Sequence, residues 1–359
     1  MVLQLSDLLK RRGDEVTVIS LGEDPGTPFA RELRELGITV VHFPGGHLMN
    51  PGRILRLASY LRRQRFDVVQ TYLIYANVVG VIAAKLAGVP VIGSIRNTQY
   101  DARYHHPIRS KIEMWLLRKW AERVMVNGYA IKDAWEGKLE GQRIDVIQNT
   151  VGLPALPSER ERLVAREYLC GSPDRPIVIS VGRISPPKGH SVLLDAFAMV
   201  RERVPDAFLV IVGDGKLRDN MEKHARGLGI EEHVRFTGTR IDVPHLLTAS
   251  DLYVSASLWE GLSVAVLEGM AAGLPVVATA VGESPRMITP EIGRVVPPKN
   301  AEALAAAMIE YLCDPILSRD TGLRAREYVR SQYNPDRWLE NFVALYMDVV
   351  AEKRKKAQK

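Results

Sequence analysis

Cysteine is nearly absent: Cys170 and Cys313 are the only two in 359 residues. They stand far apart and at no metal-ligand spacing. This excludes a disulfide framework and suits buried, chemically idle thiols in a reducing compartment. Long apolar runs are missing too. The most apolar stretch, Tyr72 to Ile95, is cut by Asn77, Lys85 and Pro90, so it reads as a buried helix followed by a buried strand and not as a membrane span. A secretory signal is excluded, because Asp7 interrupts the opening apolar residues and Lys10, Arg11 and Arg12 follow them instead of preceding them. There is no G-x-x-x-x-G-K-[ST] phosphate loop, no G-x-G-x-x-G fingerprint, and no D-x-D pair to hold a bridging metal. No low-complexity block precedes the basic tail "EKRKKAQK", expected as a frayed helix end, with membrane-headgroup contact as the minor alternative.

What is present is a globular composition, 46% hydrophobic and 25% charged, in a chain long enough for two domains with separate cores. Formal net charge is +6. Residues 1–150 hold 21 lysines and arginines against 15 acidic residues, and the remainder holds 27 of each, so the whole surplus lies in the first half. Such a surplus favours an anionic partner, either a lipid surface or a phosphorylated acceptor, or it is simply a solvated face.

Short β-branched runs alternate with stretches of helical periodicity throughout. "EVTVIS", "ITVVHF", "FDVVQTY", "PVIGSI", "RVMVNG" and "RIDVIQN" fill the first half, and "PIVISVG", "AFLVIVGDG", "HVRFTG", "DLYVSA", "LPVVAT" and "GRVVPP" the second. The pattern predicts parallel sheets covered by helices on both faces. The Pro-, Gly- and charge-rich stretch "NTVGLPALPSERERLVAREYLCGSPDRP" carries a short helix and marks the boundary between domains expected at 1–155 and 156–335. Sheets of this kind bind ligands at the carboxyl ends of their strands.

Two segments carry chemistry. "SVGRISPPKGHSVLLDAF" reads as strand, glycine turn and helix. Such a turn offers backbone N–H groups and a positive helix end to an anion, and Arg183 and Lys188 add two formal charges at the same rim. A phosphate or diphosphate fits that set; two surface cations beside a tight turn is the plain alternative. In "WEGLSVAVLEGMAAGLPVVAT", Glu260 precedes a helix expected from about Leu262 to Ala272, where an acidic residue ordinarily caps. Glu268 lies inside that helix among Val264, Val266, Leu267 and Met270, and a carboxylate there needs a hydrogen-bonding partner such as a sugar or ribose hydroxyl. Leu262 and Ser263, at the helix start, can offer backbone N–H groups to the diphosphate held by Arg183 and Lys188.

Taken together with "LLKRRGDEVTVIS", "FDVVQTY…AGVPVIGS", "VIVGDGKLRDNMEKHARGLG" and "VRFTGTR", these segments resemble, over essentially the whole chain, the family-4 retaining glycosyltransferases. The resemblance implies an α/β protein of GT-B fold, with two doubly wound Rossmann-like domains whose parallel sheets face a cleft, and a C-terminal helix at 336–359 packing back toward the first domain. It implies transfer of a hexose from a nucleotide-diphosphate sugar to a cell-envelope glycolipid, oligosaccharide or polysaccharide-precursor acceptor, with no cofactor, metal or nucleic acid. By the same resemblance, Arg183 and Lys188 hold the diphosphate, Glu268 the ribose hydroxyls, and Glu260 the hydroxyls of the transferred sugar. Arg240 in "GTR" lies beside the base, and Gly182, Gly213, Gly261, Leu262 and Ser263 complete the donor site. Arg183, Lys188 and Glu260 are the catalytic candidates, and Gly282 and Glu283 are weaker candidates in the sugar-contacting loop. A cytoplasmic location with peripheral contact on the inner face of the membrane goes with it. A non-catalytic or truncated nucleotide-sugar-binding protein, and a sugar-nucleotide isomerase or phosphorylase of the same fold, are the alternatives.

The chain departs from the family pattern on the acceptor side. Gln70, Tyr72 and Arg96 stand where histidines are expected, so Arg96 and Asn97 become the acceptor-side candidates, Arg96 as a stabiliser of negative charge and never as a base. His105 and His106 read as exposed loop residues. "HHPIRSKIEMWLLRKWAERV" combines Trp115 and Trp120 with Arg109, Lys111, Arg118, Lys119 and Arg123. This suits a membrane interface, although packing of both tryptophans into the core is the ordinary reading. The opening "VLQLSDLLKRRGDEVTVIS" matches the helix and strand that in the family come after a first strand and a glycine-rich loop. The expectation is therefore a truncated chain in which Met1 is an internal methionine and a central strand is missing.

Overall fold

The computed structural model describes residues 1–23, 26–96, 98 and 107–358, and the chain divides into two compact units, Met1–Asn149 with Asp336–Lys359, and Thr150–Pro335. All twelve strand-like runs of the sequence are strands in it.

The first unit contains α1 (Val2–Arg12), β1 (Thr17–Ser20), α2 (Pro28–Glu35), β2 (Thr39–His42), α3 (Pro51–Gln64), β3 (Val69–Gln70), α4 (Leu73–Ala87), β4 (Val91–Ile95), α5 (Pro107–Trp120), β5 (Arg123–Val126), α6 (Tyr129–Glu136) and β6 (Ile144–Val146). Helix α1 stops where Gly13 takes the left-handed conformation and its N–H reaches back to the last carbonyls, with Lys10, Arg11 and Arg12 in the final turn complementing the helix dipole. β1 and β2 pair in parallel, β3 to β6 form a four-stranded parallel sheet in sequential order, and no ladder joins the two sheets among the described residues.

The second unit contains α7 (Glu159–Cys170), β7 (Ile177–Val181), α8 (His190–Arg203), β8 (Phe208–Val212), α9 (Arg218–Gly227), β9 (Val234–Gly238), α10 (Val243–Ala249), β10 (Leu252–Ser255), α11 (Val264–Ala271), β11 (Val276–Thr279), α12 (Ser284–Met287), β12 (Gly293–Val296), α13 (Ala301–Cys313) and α14 (Pro315–Gln332). α7 opens on a capping box between Ser158 and Glu161. The sheet order is β12-β11-β10-β7-β8-β9, all parallel. Along the strands the side chains alternate between two cores: Ile177, Ile179, Phe208, Val210 and Tyr253 on one face, Val178, Leu209, Ile211, Leu252 and Val254 on the other. The chain leaves β7 toward β9 on one side and returns to β10 on the other, so the order reverses between β7 and β10. In doubly wound sheets the ligand crevice lies outside the carboxyl ends of the strands at such a reversal.

The last helix, α15 (Pro335–Ala357), belongs from Asp336 onward to the first unit, where Trp338, Phe342, Leu345 and Val349 share a core with Leu5, Leu9, Ile92 and Met125. It runs helical to Ala357, so most of the basic tail continues this helix. Among the described residues no helix is long and apolar enough to cross a membrane. Cys170 is a buried thiol, but Cys313, at the last position of α13, is exposed, which corrects the expectation that both are buried.

Candidate active site

The loops leaving β7, β8 and β9 are laced together by their own backbones. Gly182 donates to the Val212 carbonyl at 2.9 Å, Ile184 to Asp214 at 3.0 Å, and Gly213 to Gly238 at 2.9 Å. Arg183 projects exposed from this braced rim and forms no ion pair among the described residues. A guanidinium on a rigid loop with no internal partner is available to an external anion.

Lys188 comes from the same rim. Pro186–Lys188 is a single 3₁₀ turn closed by Gly189 at φ 61°. A Cβ at Gly189 would stand 2.0 Å from the Ala256 carbonyl oxygen, so only glycine lets this turn lie against the chain just beyond β10. Leu258 seals the approach by donating to the Pro187 carbonyl at 2.7 Å. The result brings Lys188, from the loop after β7, into an ion pair with Glu260, from the loop after β10, and the Ser257 hydroxyl donates to the same carboxylate at 3.1 Å. Glu260 is not a helix cap: Ser263 holds the N-cap position of α11.

Ser263 makes no side-chain cap bond, and the N–H groups of Leu262 and Ser263 donate to no group among the described residues although both residues are buried. Two unused donors at a helix start form an anion seat beside the Lys188–Glu260 pair. Glu268 lies deeper in α11. Its carboxylate accepts no hydrogen bond among the described residues, and burial raises its pKa above the ordinary carboxylate value. Tyr253 on β10 lies wholly in the interior, and its hydroxyl is pushed up first by burial and then by the charges of Glu268 and Glu260, so both carboxylates act on the same buried ring. The loop after β11 closes this side. Gly282, at φ 55°, sits where a Cβ would fall 2.1 Å from the Gly261 carbonyl oxygen, and the Glu283 N–H donates to that oxygen at 3.0 Å. Glu283 is almost fully buried, with Arg286 3.9 Å away.

Arg240 is held locally. It pairs with Asp242 through two bonds of 2.8 and 2.6 Å and donates to the Tyr168 hydroxyl at 3.1 Å, so its guanidinium already has partners and its charge is reinforced by them. His190 is a residue that sequence reading passed over. It is the first residue of α8, buried, with Nδ1 unpartnered among the described residues and its pKa pushed down to about 4 by burial and by the charge of Lys188. A titratable residue placed directly after a glycine turn that carries two cations was the available signal. No group of three His, Cys, Asp or Glu side chains among the described residues converges as a metal site.

The first unit gathers a second polar cluster at the carboxyl ends of its strands. Arg96 follows β4 and lies largely buried, with Nη1 donating to Asn149 Oδ1 at 2.8 Å and its guanidinium 5.0 Å from the centre of the Tyr72 ring. Nη1 also meets Met1 Sδ at 3.5 Å. Nη2 is buried without a hydrogen-bond partner among the described residues. Burial pushes the Tyr72 hydroxyl up to about 12 against the pull of Arg96, and Tyr346 hydrogen-bonds Gln70 alongside. Asn97, His105 and His106 lie outside the described residues. On α5, Trp115 is 52% exposed, which overturns the ordinary reading that both tryptophans are core; Trp120 is half-buried against it.

Residues 1–153 match the family described as Glycosyltransferase Family 4, and residues 171–328 match Glycosyl transferases group 1. Among characterised proteins the chain is 25% identical over 316 residues to the UDP-Gal:alpha-D-GlcNAc-diphosphoundecaprenol alpha-1,3-galactosyltransferase of Escherichia coli, covering 84% of this chain and 80% of that one. It is 27% identical to the phosphatidyl-myo-inositol mannosyltransferase of Mycobacterium leprae, covering 92% and 87%. Among solved structures, HepE of Anabaena in complex with UDP-glucose superposes with a TM-score of 0.85 at 22% identity, covering 96% of this chain and 95% of that one.

Proposed function

We propose that this chain, which belongs to the family-4 glycosyltransferases of GT-B fold, moves a hexose from a nucleoside-diphosphate sugar to a cell-envelope glycolipid or polysaccharide-precursor hydroxyl, with retention at the anomeric carbon. The observation that carries the donor half is that, at the β7/β10 reversal, the loop bearing Arg183 and Lys188 meets, through the Lys188–Glu260 pair, the loop that leads into α11, where the N–H groups of Leu262 and Ser263 are unused among the described residues. The glycolipid half is supported by relatives whose acceptors are named as a lipid diphosphate and a phosphatidylinositol.

In this reading the anomeric C–O bond breaks with its electron pair going to the β-phosphate oxygen, where negative charge grows. The two α11 N–H groups are fixed before that charge appears, so they stabilise the transition state with little reorganisation, and the exposed Arg183 guanidinium closes on it from the loop after β7. The donor's diphosphate and hexose engage Lys188 and Glu260, the phosphate drawing the ammonium and the sugar hydroxyls donating to the carboxylate. The acceptor oxygen forms the new bond on the same face, and its proton passes to the departing diphosphate. Glu268 accepts from the ribose hydroxyls and so acquires the partners it lacks. His190, neutral above about pH 4, leaves the positive field at this rim to Lys188 and Arg183. On the acceptor side Arg96 supplies the charge that steadies a negative group of the acceptor.

Calorimetry with UDP-, GDP- and ADP-sugars tests the donor assignment, and proton NMR of the product linkage tests retention. Binding of one nucleotide sugar that is lost in Arg183→Ala and Glu268→Ala is the expected result. Equal binding by both variants would overturn the donor site, and an inverted linkage would overturn retention.

A further inference from the structure

Helices α3, α4 and α5 pack in succession on the first unit and carry, besides the fully buried Arg53, eight lysines and arginines against a single carboxylate. That carboxylate, Glu113, is fully buried and accepts from Asn77 Nδ2 at 2.6 Å, so none of the three helices shows an acid to solvent. Between α4, α5 and the loop just before α3 lies a groove of about 400 Å³ lined by Met49, Ile82, Ile108, Ile112, Trp115 and Trp120, with Lys111 at its edge. Its walls are apolar yet open: Met49 is 48%, Trp115 52% and Ile108 59% exposed. The two tryptophans meet edge to face at 5.4 Å, which sets Trp115 outward on a supported ring. Arg109, Lys111, Arg118 and Lys119 are exposed on the same helix.

We propose that this α4–α5 groove and its cationic rim dock the chain on an anionic lipid surface, with Trp115 and Ile108 entering the headgroup–acyl boundary and the α5 cations resting on lipid phosphates. Charge decides between occupants. A second copy of this face would oppose cations with cations across a two-fold axis, which disfavours self-pairing. A bilayer rich in anionic lipid offers apolar depth and negative charge together, the combination that this groove and rim complement. Docking goes beyond the transfer reading, since it concerns a surface of the first unit and none of the donor residues; it rests on that reading only in giving a lipid-linked acceptor a surface to arrive from.

The test is co-sedimentation of the full chain with phosphatidylcholine vesicles and with vesicles rich in phosphatidylglycerol, at roughly 0.1 M and 1 M salt, where the screening length falls from about 10 to 3 Å. Binding to the anionic vesicles alone, lost at high salt, is expected. Lys111→Ala with Lys119→Ala should weaken it about twenty-five-fold, from about fivefold per removed cation near an anionic surface. Trp115→Ser should weaken it severalfold while Trp115→Phe retains most of it, and brominated lipid should quench wild-type fluorescence more than that of Trp115→Phe. Unchanged thermal unfolding and unchanged donor calorimetry in these variants exclude misfolding as the cause. Equal binding to both vesicle types, or no effect of either substitution, overturns the proposal. So does salt-insensitive self-association abolished by Trp115→Ser, which makes the occupant a second copy. Capture by poly-glutamate with no vesicle binding also overturns it, making the occupant an acidic protein. Vesicle binding without sugar transfer leaves docking intact and removes the transfer reading; transfer to a soluble acceptor without vesicle binding does the reverse.

Discussion

Replacing Glu268 by glutamine is expected to move donor affinity and stability in opposite directions. This carboxylate is half-buried on α11, accepts no hydrogen bond among the described residues, and has its pKa raised by that burial. Hydrogen bonds to a charged acceptor contribute about 1.5–3 kcal/mol, against about 1 kcal/mol for neutral pairs. Glutamine keeps one acceptor oxygen and loses the charge, so with two ribose hydroxyls at stake the loss is roughly 1.5–3 kcal/mol, a ten- to hundredfold rise in Kd. Stability runs the other way. Because the folded pKa lies above the unfolded value of 4.5, the folded state binds more protons between the two, and stability falls as pH rises through that interval before levelling off. Glutamine has no such dependence. The variant should therefore match wild type at the acid end, exceed it at neutral pH, and lose most of the thermal shift that donor gives wild type. Isothermal calorimetry and unfolding scans at several pH values measure both arms. An unchanged Kd together with lower stability at neutral pH would refute the reasoning, because Glu268 would then be serving the fold and not the ligand.

Lys188→Ala removes the ammonium from the rim and from the Glu260 carboxylate; turnover should fall about a hundredfold or more, and a double-mutant cycle with Glu260→Ala should show the two effects to be strongly non-additive. His190 has a folded pKa of about 4 against 6.5 unfolded, so the unfolded state binds more protons between those values and stability drops as pH falls from 6.5 to 4. His190→Gln should flatten that limb by about 3 kcal/mol in denaturant titrations, and an unaltered acid limb would show that His190 is not its source. Gly189→Ala meets both the positive φ and the Ala256 carbonyl, and should cost more than about 2 kcal/mol in unfolding while abolishing donor binding; wild-type donor binding would mean that the turn does not set the Lys188 position. Arg96→Met should raise the acceptor KM with donor Kd unchanged, and a shift in donor Kd would remove Arg96 from the acceptor side.

The strands were legible because each is a short β-branched run between turn residues, a signal carried within a few neighbouring positions. The reversal of strand order at β7 and β10 was not, since it depends on which strand returns beside which. Arg183 and Glu268 could be singled out one at a time, the first by a glycine turn and the second by an acid in an apolar helix. Their neighbour Glu260 shows where such reading stops. Beside a helix start an acid looks like a cap, and its partnership with Lys188 spans 72 positions of sequence. That partnership exists because Gly189 lets the first loop touch Ala256. In sequence Gly189 marks only a turn, yet in space it decides that a cation and an acid meet. The exposure of Trp115 escaped for a related reason. Composition put aromatic and basic residues on one helix, but only the packing of α4 against α5 fixes which side of that helix is left uncovered. Residue type and spacing thus name the candidate groups, and long-range packing decides which of them face one another, so the variants that separate function from fold are those at the points of close approach.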